Sequence, residues 1–99
     1  MITHSQQILI HRAQREAGLD DAEYRDALEA VSGCRSTKDP KMVDRHVDMA
    51  LSYMEAIYWH RVGAGELPPP GSPNAVFRQP HQWSTAYIAP KSSLENQLR

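Results

Sequence analysis

The stretch Gly18 to Gly33, GLDDAEYRDALEAVSG, reads as one helix punctuated at both ends. Asp20 is a good N-cap, because its carboxylate can accept from the free amides of the first turn. Glu23, three residues on, completes the reciprocal box. Asp20 and Asp21 also suit the positive end of a helix dipole, and Gly33 is a natural stop. Between them Tyr24, Ala27, Leu28 and Val31 fall at i, i+3, i+4 and i+7, one face of a helix, while Arg25, Asp26 and Glu29 fall elsewhere. Such a thin amphipathic helix must lean on neighbours, and an all-α domain is the simplest way to provide them.

Upstream, a helix is expected from about Ser5 to Ala17, with Thr3 or Ser5 at its start, Gln6 completing a box with Thr3, and Gly18 closing the end. Its apolar residues Ile8, Leu9, Ile10, Ala13 and Ala17 cover more than a narrow stripe, as when a helix touches two neighbours. Downstream, the linker Cys34 to Lys38 leads to Asp39-Pro40, where a capping side chain precedes a proline suited to a first helical turn. A long third helix is therefore expected from Pro40 to about Val62, built on Val43, Val47, Ala50, Leu51, Met54, Ile57 and Tyr58 and ended by Gly63 and Gly65. A helix of about twenty residues spans roughly 30 Å. Met49, Tyr53 and Ala56 widen its apolar arc, so either the first two helices both pack on it or a second copy of the chain does.

The expected organisation is a three-helix domain over residues 1–63, two short helices and one long, with an extended proline-rich tail over 64–99. Pro68-Pro69-Pro70 favours a stiff, extended spacer. Val76, Phe77, Trp83, Tyr87 and Ile88 are too apolar for an inert linker and suit a segment that lies along a surface or adds to a partner.

Composition narrows the function classes. A chain of 99 residues holds one small domain and no large enclosed pocket. Eleven basic and twelve acidic side chains leave no global field to draw it onto nucleic acid or an anionic membrane. The apolar run Ile8 to Ile10 is too short for a signal peptide or a membrane span, and the single cysteine, Cys34, suits a reducing compartment, so a cytoplasmic protein is expected. Histidines 4, 11, 46, 60 and 81 lack the spacing of metal ligands. Cys34, Ser32 and Ser36 have no adjacent base, so neither an enzyme nor a cofactor site is expected.

Two surface groups stand out. Trp59, His60 and Arg61, after Tyr58, combine aromatic surface with cations in the mix enriched at binding hot spots, although a terminal cation also answers the helix dipole. Arg35, Lys38, Lys41 and Arg45 could form a phosphate-binding patch, but Asp39, Asp44 and Asp48 are interleaved with them.

The segment Leu9 to Asp39, LIHRAQREAGLDDAEYRDALEAVSGCRSTKD, resembles the N-terminal region of the phage Mu GemA-like regulatory proteins. Ile10, His11, Ala13, Gly18, Leu19, Asp20, Asp21, Tyr24, Arg25, Leu28, Val31, Gly33, Arg35, Ser36 and Asp39 carry the pattern, over about a third of the chain. The resemblance implies a small, mostly helical phage or prophage protein that modulates host gene expression. After Asp39 the chain departs from the family, whose members continue into a further helical region, so partner contacts there are not carried over. Capping and packing explain most of the matching positions. His11, Arg25, Arg35 and Ser36 are left over and, with Trp59, His60 and Arg61, are the expected partner-binding residues; Arg25 could instead pair with Glu29 at i+4. The favoured function is noncatalytic regulation through a host or phage protein. The alternatives are a helix-turn-helix-like nucleic-acid module and a structural phage protein, a homo-oligomer through the long helix.

Overall fold

The structure is a computed structural model that describes residues 1–83. It is all-α: helix α1 spans His4–Glu16, α2 spans Asp21–Ser32 and α3 spans Asp44–Gly63, with no strand among the described residues. Both expected capping boxes form. The Thr3 hydroxyl accepts from the Gln6 amide at 3.1 Å while Gln6 Oε1 accepts from the Thr3 amide at 2.8 Å, and Asp20 and Glu23 repeat the exchange at 2.7 and 3.1 Å. Gly18 and Gly33 both take a left-handed backbone, with φ of 69° and 76°. At Gly18 there is also little room, since a Cβ would stand 3.3 Å from Leu67 Cδ2 and 3.5 Å from Arg61 Nη1.

The third helix starts later than expected. Asp39-Pro40 makes a turn instead of a helix start: the Met42 amide donates to Asp39 O at 3.0 Å and the Asp39 carboxylate accepts from the Lys41 amide at 2.9 Å. Asp at the first and Pro at the second position of a β-turn is the same local chemistry as an N-cap followed by a first-turn proline. The fully buried Met42 decides between them, because it anchors the turn in the core. The chain then runs extended through Val43, and His46 Nδ1 accepts from the Val43 amide at 3.1 Å to finish the start of α3. Gln6 Nε2 donates to Asp44 Oδ1 at 3.0 Å, tying the starts of α1 and α3 together.

Helices α1 and α2 both pack on α3, where Met49, Tyr53 and Ile57 are half-buried and Ala56 is exposed. Ile10, Ala13 and Ala17 from α1, Ala27, Leu28 and Val31 from α2, and Val47, Ala50, Leu51 and Met54 from α3 are buried together. The alanines let helix backbones approach closely while the larger side chains interlock, as dense interior packing requires.

The chain after α3 completes this core. Phe77 is fully buried, Val76 nearly so, and the Phe77 ring stacks on Tyr58 with centroids 5.1 Å apart. Two carboxylates hold the irregular segment by its backbone: Glu16 on α1 accepts from the Val76 amide at 2.9 Å, and Glu55 on α3 accepts from the Trp83 amide at 2.9 Å. Tyr58 donates to Pro68 O at 3.3 Å and Trp83 Nε1 to Val76 O at 3.3 Å, so buried polar groups find partners as the segment crosses. The expected division at residue 63 thus separates helical from irregular chain but cuts through the hydrophobic core. The tail from residue 84 onward, with Tyr87 and Ile88, lies outside the described residues. No helix among the described residues is long and apolar enough to cross a membrane.

Candidate partner-binding cleft

The α2–α3 loop turns back past the start of α2 and the middle of α1, and the three stretches enclose an open cleft of about 680 Å³. Its walls are His11 from α1, Asp21, Tyr24 and Arg25 from α2, and the loop residues Arg35 to Asp39. His11, Arg25, Arg35 and Ser36, scattered over 26 positions of sequence, are therefore brought to one place.

Each is held by local chemistry. The His11 ring lies 5.2 Å from the Tyr24 ring, centroid to centroid, and its Nδ1 stands 3.5 Å from Gln14 Oε1. Arg25 pairs with Asp21 at 3.1 Å one turn back, and not with Glu29, the alternative pairing the sequence allowed. Both partners are more than half exposed, so the pair orients the guanidinium and contributes little to stability. Glu29 is instead engaged by Arg35 Nη1, which also reaches Asp26 at 3.4 Å; the hydrogen bond to Glu29 is the first cause that raises Arg35 above its usual pKa. The Ser36 hydroxyl accepts from the Lys38 amide at 3.1 Å and shapes the loop.

Tyr24 and Thr37 form the inner surface, and sequence reading assigned neither to a site. Tyr24 was legible only as a packing residue on the α2 face. Its phenol oxygen is buried yet has no hydrogen-bond partner among the described residues. Burial raises its pKa; the Thr37 side chain beside it acts the other way, near enough to influence the phenol but outside hydrogen-bond geometry, and Asp21 adds to the rise. A buried hydroxyl usually finds a partner, which makes this orphaned group unusual. The available signal was the residue type: a tyrosine where phenylalanine would pack equally well.

The other expected site residues are not in the cleft. Arg61 at the end of α3 donates from Nη1 to Ala17 O and Gly18 O, both at 2.8 Å, and its Nη2 pairs with Glu23 at 2.6 Å. It closes the C-terminal end of α1 onto the capping box of α2, which is a structural task. His60 is exposed, and Trp59 is half-buried, edge-on to Tyr58 at 4.9 Å, with its indole N–H buried and without a hydrogen-bond partner among the described residues. Among the described residues no group of His, Cys, Asp and Glu is placed to hold a metal ion, and Cys34 is buried beside Ser32, whose carbonyl lies 3.7 Å from its Sγ.

The geometry offers hydrogen-bond donors and cations on one surface. Compared with known proteins, the chain matches no family model, no curated protein and no solved structure.

Proposed function

We propose that the chain is a noncatalytic regulatory protein of the phage or prophage kind, similar to the GemA-like regulators, which acts in the bacterial cytoplasm by binding a host or phage protein and so modulates gene expression. The observation that carries this reading is the convergence of His11, Arg25, Arg35 and Ser36 on one cleft. These are the polar positions of the resemblance that caps and core do not require. The buried Cys34 agrees with a reducing compartment.

The alternatives fit less well. A helix-turn-helix module needs a recognition helix that tolerates phosphate, and α2, the second helix across the short α1–α2 turn, exposes Asp21, Asp26 and Glu29 against a lone Arg25. Self-association through α3 would have to use its half-buried edge, because α1, α2 and the 64–83 segment already cover Val47, Ala50, Leu51, Met54 and Tyr58. Transcript profiles of a bacterial host expressing the wild-type chain, Arg25→Ala/Arg35→Ala/Ser36→Ala, or His60→Ala test the proposal. The wild type and His60→Ala are expected to shift the same transcripts and the cleft variant to leave them near the uninduced level. An unchanged response in the cleft variant would refute it.

A further inference from the structure

The donors that the cleft leaves unused indicate the chemistry of its occupant. Arg35 spends only Nη1 on Asp26 and Glu29, and Arg25 only Nη2 on Asp21, so each guanidinium keeps part of its fork free. The exposed Lys38 ammonium has no anionic partner among the described residues. The acids lining the same cleft are already engaged: Asp21 by Arg25, and Asp39 Oδ1 by the Lys41 amide. Beneath them, Tyr24 is 6% exposed, and its hydroxyl has no hydrogen-bond partner among the described residues. Free cationic donors at the rim and an unsatisfied donor at the floor together call for a small anionic oxygen group.

We infer that the cleft between His11, Tyr24, Arg25 and the Arg35–Lys38 loop binds a carboxylate-bearing segment of a partner protein, an Asp or Glu side chain seated among Arg25, Arg35 and Lys38. The inference rests on the proposed regulatory reading and specifies its partner. A protein carboxylate suits the surroundings better than a nucleic-acid backbone. Asp26 and Glu29 stand just outside the cleft with most of their charge in solvent, where they would repel a continuous polyanion while leaving room for one or two isolated acids. Arg forks match carboxylates in geometry, and a segment of one or two side chains is what an open cleft of about 680 Å³ admits.

The probe is the acetylated tetrapeptide Leu-Glu-Asp-Leu amide, titrated into the isotopically labelled full chain and followed by amide and side-chain NMR shifts. Its Leu-Gln-Asn-Leu counterpart, inorganic phosphate and a short duplex DNA serve as comparison arms. Saturable shifts confined to residues around His11, Tyr24, Arg25 and Arg35 to Asp39 are expected with the acidic peptide and not with its amide counterpart. Arg35→Gln/Lys38→Gln is expected to weaken that binding roughly tenfold, and Arg15→Gln, outside the cleft, to leave it unchanged. Tyr24→Phe should weaken binding while the variant stays as stable as the wild type or gains stability, a pairing that a packing role alone would not give. Absence of cleft shifts, shifts indifferent to Arg35→Gln/Lys38→Gln, or stronger binding of phosphate or DNA at the same residues overturns the inference. If the cleft variants abolish the transcript response while the acidic peptide fails to bind, this inference fails and the regulatory reading stands.

Discussion

Gly18 and Gly33 share a left-handed backbone but not a neighbourhood, and the difference has a measurable consequence. An alanine at Gly33 meets nothing within 4 Å, so Gly33→Ala should cost only the backbone strain, about 1 kcal/mol. Gly18→Ala adds crowding against Leu67 and Arg61 and should cost more, about 2 kcal/mol or above by chemical unfolding. Equal losses would contradict the close approach at Gly18. Arg61→Ala should lower stability by roughly 1.5–3 kcal/mol, because charge-assisted bonds to Ala17 O, Gly18 O and Glu23 go together and only 22% of its side chain is exposed. A loss below about 0.5 kcal/mol would contradict that structural role. At this scale the capping residues were legible, since Asp20, Glu23 and Gly33 state their roles within a few positions. The task of Arg61 was not, because its partners lie 38 to 44 residues away.

Among the elements, α1 and α2 announced themselves through caps and a 3.6-residue period, whereas the start of α3 did not. Asp-Pro is compatible with a helix start and with a turn, and only the burial of Met42 separates the two. The irregular 64–83 segment gave no period at all; Val76 and Phe77 reach the core where Glu16 clamps the Val76 amide, with Glu55 holding the Trp83 amide further on, which no local pattern reveals. Phe77→Ala should therefore destabilise the whole domain by about 3–5 kcal/mol, as for an aromatic removed from a packed core. An effect on the segment alone, with helix unfolding unchanged, would contradict its place in the core.

The clamp at Glu55 also sets a pH dependence. Burial raises its pKa above the usual 4.5, against the lowering influence of the Trp83 and Gln82 amides and of His81. A carboxyl whose folded pKa is raised binds its proton more tightly in the folded state. Its contribution is complete below the unfolded value and is lost as pH climbs through the folded one. Relative to Glu55→Gln, the wild type should lose stability as pH rises from about 4.5. Urea unfolding of both chains across that window checks the sign; parallel curves would contradict it.

At the scale of the molecule, three helices and the returning segment form one small core, and the cleft is a by-product of how the α2–α3 loop is pinned. Met42 and Thr37 bury the loop's inner side, leaving Arg35, Ser36 and Lys38 outward beside His11 and Arg25. The members of this site could be picked out as polar positions that packing did not explain; that they share a surface could not, because the loop's path depends on the turn at Asp39. A chain cut after Gly63 loses Phe77 and both carboxylate clamps, and should melt well below the full chain with less cooperative unfolding. The central claim joins these two ends of the molecule: the loop and α1 meet over Tyr24, while the proline-rich segment returns to α3. The most direct measurement is a NOESY spectrum with assigned aromatic side chains. Cross-peaks between the His11 and Tyr24 rings and between the Tyr58 and Phe77 rings, at centroid separations of 5.2 and 5.1 Å, are the expected result. Their absence in a folded, fully assigned chain would contradict both the cleft and the core that supports it.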